Sequence, residues 1–304
     1  MAAPNFEAVT PVNDSPLAAS VAQSINDIRN KPNYLGNPSC FDGVAFKPGT
    51  VTDGDCLVTL ESLERQHPVH QEFLLIAKVD VDNHFLHPDG TAINTATAQD
   101  QVPPNTRLRF AVRKPTHETC LAFADDFDAV HDNVVGLADK MRKTAPSTKL
   151  PITSDDESIL VAHKFMVEKG VEDESSDEEV DKEVATAGKE GVDSIFTVKG
   201  WPASEKWHAL AKPFERTHTI APLPAFDEHG RVIKPTAYRA KLVGATVTLK
   251  VVFVAFFIKG RKRVLSAQVE EVRVVIPAPK RPSSAAKRAS LVMEGLAKKR
   301  KTNH

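Results

Sequence analysis

Four cations stand in the five residues Lys259-Gly-Arg-Lys-Arg263, and the apolar run leading into them carries Phe253, Phe256 and Phe257. Lysine and arginine on a short loop can lie along a phosphate backbone and release its condensed counterions, and aromatic faces beside them can stack bases. That is binding chemistry, with no bond made or broken. Strand alternation puts Phe253 and Phe257 on one face and Phe256 on the other, so one face is core and Phe256 is the candidate stacking ring. Lys241 and Lys250 lie upstream and add charge to the same segment. A solvated turn is the alternative for the loop. Trp201 and Trp207 repeat the pattern of rings among lysines, with Lys199, Lys206 and Lys212 around them. Trp207 is a candidate for base stacking or for closing the core of a small sheet. Trp201, fixed against Pro202, reads as core.

Catalytic and metal chemistry find little support. Cys40, Cys56 and Cys120 are far apart and odd in number, which suits a reducing compartment better than a disulfide framework. The pairs His67-x-x-His70 and His84-x-x-His87 lack the close cysteine pairs of a zinc site. Asp125, Asp126 and Asp128 suit a helix N-terminus, and no His or Lys is spaced to make them an acid–base pair. No glycine-rich loop is built to cradle phosphate. The expectation is a protein with no catalytic residue, no metal and no cofactor.

Charge is sorted along the chain. The net is -1 overall, but residues 1–153 carry -6, residues 154–193 carry -10, residues 194–277 carry +8 and residues 278–304 carry +7. Such asymmetry points to a polyanionic partner or a compartment signal rather than to an enzyme. In the last block, Lys287-Arg288 precede Lys298-Lys299-Arg300-Lys301 by nine residues. That spacing resembles a bipartite nuclear-import signal, whose cations would enter acidic pockets on an import receptor, and it predicts a nuclear protein. In the acidic block, Ser175 and Ser176 have carboxylates three residues on at Glu178 and Glu179, and Ser154 has Glu157. These three serines are candidate sites for acidophilic kinases.

The elements that must position these groups are mostly strands. Residues 56–63, 73–81 and 107–112 are β-prone, with Leu108, Phe110 and Val112 facing inward. Residues 244–258 and 264–276 read as two long strands around the basic loop, a β-hairpin. Apolar positions at Phe123, Phe127, Val130, Val134, Leu137 and Met141 predict one helix over 125–143, with Gly136 inside it. The domain plan is a disordered arm with a short helix (1–34), a β-rich first half plus helix (35–143), an acidic disordered linker (144–193), a basic β-rich segment (194–277) and a basic disordered tail (278–304). The longest apolar run, residues 251–258, is far short of the roughly 20 residues of a membrane helix, so no membrane partner is expected.

Residues 222–277 carry a further pattern: Pro224-Ala-Phe-Asp227, Gly230, Ile233-x-Pro235, Tyr238, Leu242-x-Gly-Ala245, the long Val/Phe strand, and a second strand ending Val-Val-Ile-Pro277. It resembles uncharacterised proteins of mushroom-forming fungi with an OB-like β-barrel of the single-strand-binding kind. The resemblance implies a sheet-based nucleic-acid binder with no known catalytic role. The expected fold is therefore mainly β, an antiparallel OB-like or Greek-key barrel assembled from 35–115 and 194–277. The expected function is non-enzymatic binding of single-stranded DNA or RNA. The alternative is a protein-interaction module of a chromatin or replication assembly.

Overall fold

The computed structural model describes residue 23 and residues 26–48, 54–65, 69–93, 103–142, 147–151, 157–169, 193–258 and 262–279. The protein is mostly β, built on a large sheet rich in antiparallel pairs. Its strands are β1 (Val44–Lys47), β2 (Asp55–Thr59), β3 (Phe73–Phe85), β4 (Arg107–Arg113), β5 (Ser147–Lys149), β6 (Ile159–Lys164), β7 (Met166–Glu168), β8 (His218–Ile220), β9 (Ala225–Phe226), β10 (Thr246–Ile258) and β11 (Lys262–Ile276). Interrupting them are the α-helices α1 (Leu121–Arg142), α2 (Glu205–Ala211) and α3 (Tyr238–Leu242), and residues 26–29 before the first strand are helical too.

Two long strands, the Val- and Phe-rich β10 and the Val-rich β11, make the backbone of the sheet, because β-branched and aromatic side chains fit a pleated, buried surface. β10 and β11 pair antiparallel from Thr246↔Ile276 to Ile258↔Lys262, which confirms the expected hairpin. Val247, Leu249, Val251, Phe253 and Ala255 of β10 are buried in the core. The Phe253 ring meets Phe73 at 5.6 Å and Phe41 at 6.3 Å between centroids. Five strands pair in a ring: β10 with β3, β3 with β4, β4 with β6, β6 with β11, and β11 with β10. All these joins are antiparallel except β6–β11, which is parallel and spans two residue pairs, Ala267↔Val161 and Gln268↔Ala162. The outer edge of β11 takes β5, β6 and β9 in turn, all parallel.

Several expectations change. The segment assigned to an acidic linker supplies β5, β6 and β7, and β6 is a ring strand with Ile159 and Val161 in the core. The acidic residues around it hide a short apolar run. Residues 170–192, with Ser175 and Ser176, and residues 152–156, with Ser154, lie outside the described residues. So do residues 280–304 with the import signal. The arm assigned to 1–34 packs at its C-terminal end. Leu74 N donates to Asn33 O, Leu35 N donates to Leu74 O, and Arg29 makes a two-pronged pair with Asp126 at 2.7 Å for each bond. The arm's expected short helix is present in part, with residues 26–29 helical, and α2 and α3 join the expected long helix among the described residues. The longest covers the expected span, with Phe123, Phe127, Val130, Val134 and Leu137 buried. Strands before and after the acidic run share one sheet, since β3 pairs with β10.

A tight turn after β9 shows how a surface loop is fixed. Asp227 accepts hydrogen bonds from Arg231 Nε at 2.9 Å and from the backbone N–H of His229 and Arg231 at 3.0 Å each. The Arg231 hydrogen bond, with help from those N–H groups, holds the Asp227 carboxyl down at about 2. An unfolded aspartate titrates near 3.9. A depressed carboxyl stabilises the fold above the unfolded value and loses that contribution as pH falls through the folded one. Asp227→Asn is therefore expected to melt below the wild type at pH 5. The gap should close as the pH is lowered from about 4 to 2. Thermal unfolding of both proteins in that series checks it.

Candidate nucleic-acid interface

Alternation along β4 sets the site. Leu108, Phe110 and Val112 are fully buried, so Arg107, Arg109 and Arg113 fall on the opposite face. Arg109 is exposed and Arg107 half-buried. The antiparallel neighbour β6 sets Lys164 directly across from Arg107 and Ala162 across from Arg109. Lys164 is exposed. Like charges directly opposite on one sheet face repel, at a cost of a few tenths to about 1 kcal/mol. An anion lying between them would reverse that sign.

Aromatic rings flank this row. The Arg109 guanidinium carbon sits 5.0 Å from the Phe85 ring centroid, and that of Arg107 sits 5.7 Å from the Phe256 centroid. The second contact joins the far end of β10 to the start of β4. Phe256 pairs with Val264 on β11, and Val264 pairs with the exposed Lys149 on β5. Gly54 lets the chain pass close here: its φ is +74°, and a Cβ on it would lie 2.6 Å from Ala255 O and 3.0 Å from the Phe256 ring. The basic loop begins three residues after Phe256. Lys259 and Arg261 lie outside the described residues, and Lys262 and Arg263 are described only by their backbone in β11.

The other expected binding residues scatter. Lys250 lies 3.4 Å from Glu72 and opposite Glu271 across the hairpin, so carboxylates hold it rather than leaving it to phosphate. Glu271 itself is held below the usual carboxylate range, first by its hydrogen bond from Arg273. Lys241 sits in α3, before the start of β10. The 13 residues of β10 separate it from the basic loop, about 40 Å of strand at ~3.3 Å per residue.

Trp207 is 1% exposed and packs on Phe165 at 6.0 Å. It closes the core and offers no face to a base. Trp201 also stacks on Phe165, at 5.0 Å, and its indole N–H donates to Pro88 O at 2.7 Å. Phe256 is half-buried while Phe253 is core, as alternation requires.

Arg107, Arg109, Lys149, Lys164 and Phe85 were not among the expected site residues. The alternation in Arg107-Leu-Arg-Phe-Ala-Val-Arg113 already put the arginines outward. What it lacked was a reason to choose that face over any other.

No family model and no curated protein matches the chain. Among solved structures it is similar to the crystal structure of gp2.5, a single-stranded DNA binding protein encoded by bacteriophage T7, at 11% identity and a TM-score of 0.34, covering 71% of this chain and 92% of that one. It is also similar to the single-stranded DNA-binding protein from bacteriophage Enc34, at 8% identity and a TM-score of 0.34, covering 79% of this chain and 95% of that one. Both likenesses are too loose to bear on the function of this chain.

Proposed function

We propose that the protein binds single-stranded nucleic acid, DNA or RNA, without catalysing a reaction. The face bounded by β4, β6 and the hairpin tip is the binding surface, and the ring of five strands is an OB-like barrel. The observation that carries this reading is the row of Arg107, Arg109 and Lys164 against Phe85 and Phe256 at the foot of the basic loop. Cations there can hold phosphates while rings and guanidinium planes take bases. The sequence of pairings supports the barrel: four antiparallel joins and one parallel join between the third and fifth ring strands. In an OB barrel the second and third strands, with the loops after the first and fourth, form the oligonucleotide face. Here those strands are β4 and β6, and the loop after the fourth is residues 259–261, with Lys262 and Arg263 opening β11. α1 lies against β3 and β5 and leaves Arg109 and Lys164 exposed. Fluorescence anisotropy of labelled single-stranded oligonucleotides across a salt series tests the reading. No binding at low salt would leave the interaction-module alternative ahead.

The tail gives the proposed location. Replacing Lys287, Arg288, Lys298, Lys299, Arg300 and Lys301 with Ala is expected to leave a fluorescent fusion out of the nucleus. Unchanged nuclear accumulation of that variant would remove the import receptor as a partner.

A further inference from the structure

A groove of about 780 Å³ opens beside the proposed face, walled by His87, Pro88 and Pro202 on one side and by α3 and Pro277–Pro279 on the other. Two exposed cations of α3, Arg239 and Lys241, line it. Among the described residues neither makes an ion pair. Glu228 is the one carboxylate in the lining, and it lies 3.8 Å from His229 Nε2.

The groove meets the face through the chain, because its lining starts at Leu86, next to Phe85. Phe85, the ring beneath Arg109, stands two residues before His87 on the wall, and Leu86 between them is buried. β3 ends at Phe85 and the chain bends at His87, so the groove wall begins within two residues of the ring beneath Arg109. Apolar proline walls with cations on one side suit a strand whose bases lie against the walls and whose phosphates meet the cations.

We infer that this groove carries the same single strand onward from the β4–β6 face, with Arg239 and Lys241 each holding a phosphate. The inference rests on the proposed function and extends it to a second stretch of strand. It gives Lys241 a place at the far end of the path from the hairpin tip, and it makes the bound length exceed what the face alone would cover.

The test compares the full-length wild type with Arg239→Ser/Lys241→Ser on oligothymidylates of about 6 and about 16 nucleotides, near the ends of the 4–16 nucleotide range for one OB-type domain. Two phosphate contacts on single strands should steepen the slope of log K against log salt by about 1.4 for the long oligomer over the short one. The variant is expected to bind the short oligomer like the wild type and to lose that increment on the long one. Short-oligomer binding thus also reports that the variant is folded. An unchanged slope on the long oligomer, with short binding intact, would overturn the inference and leave the proposed function standing. Equal loss on both lengths would also overturn it, because the two cations would then serve the shared face. Oligoglutamate bound by the wild type and not by the variant, with like oligonucleotide slopes, would assign the groove to an acidic peptide instead. Failure of the wild type to bind either oligomer would overturn the reading beneath both.

Discussion

Changing Lys259, Arg261, Lys262 and Arg263 to Ser, together with Arg107 and Arg109, is expected to lower affinity for single-stranded oligonucleotides steeply and to flatten its salt dependence. If three loop cations touch phosphates, their removal takes about 2 from the slope of log K against log salt, and the two arginines take about 1.4 more. Across a fourfold rise in salt, a slope change of roughly 3.5 corresponds to about a hundredfold difference in the affinity each protein loses. Changes at the loop and at the exposed Arg109 should each stay within about 0.5 kcal/mol, as surface substitutions usually do. Arg107→Ser gives up the contact with Phe256 while it relieves the repulsion with Lys164 opposite. The diagnostic result is a large loss of binding with only a small change in thermal stability. Anisotropy over the salt series and a melting curve are the two measurements. An unaltered slope would take nucleic acid away from this face.

Trp201→Ala should give the largest loss of stability from a single change. The ring is 1% exposed, stacks within 20° of the Phe165 plane, and ties the connection after β3 to the core through Pro88 O. Truncating a buried Trp to Ala costs about 3–5 kcal/mol. Typical domains have only about 5–15 kcal/mol to lose. Trp201→Phe keeps a stacked ring but leaves the Pro88 carbonyl without its donor, for which about 1–3 kcal/mol is the expected cost. Urea unfolding midpoints of the three proteins should fall in the order wild type, Phe, Ala. A Trp201→Ala protein as stable as the wild type would mean that the ring is not core.

The hairpin and the long helix were legible because their signals are local. β10 announces itself by its unbroken apolar run, β11 by Val272, Val274 and Ile276 alternating with charged residues, and α1 by apolar residues three and four apart. β6 was not legible. Its six residues sit between Asp155, Asp156 and Glu157 on one side and an acidic run on the other, and average charge over that stretch drowns a short strand. The site divided in the same way. Alternation alone turned Arg107 and Arg109 outward, but only pairing showed that Lys164 lies opposite. Lys250 misled because its partners, Glu72 and Glu271, come from other parts of the chain. Tryptophan beside lysine serves a core or a base equally well by composition, and only burial decides for Trp207.

The parallel join between β6 and β11 also sets a clock on synthesis. β3, β4 and β6 leave the ribosome as a three-stranded meander with both outer edges open, and the hairpin that must wedge between β6 and β3 ends at Ile276. At ~5–20 residues per second, the stretch from β6 to the end of β11 takes roughly 5–20 s to translate. Throughout that interval the nascent chain shows unpaired strand edges, the surface on which chains stick to one another. Slow or stalled translation of residues 165–276 should therefore be the condition under which this protein most needs a chaperone.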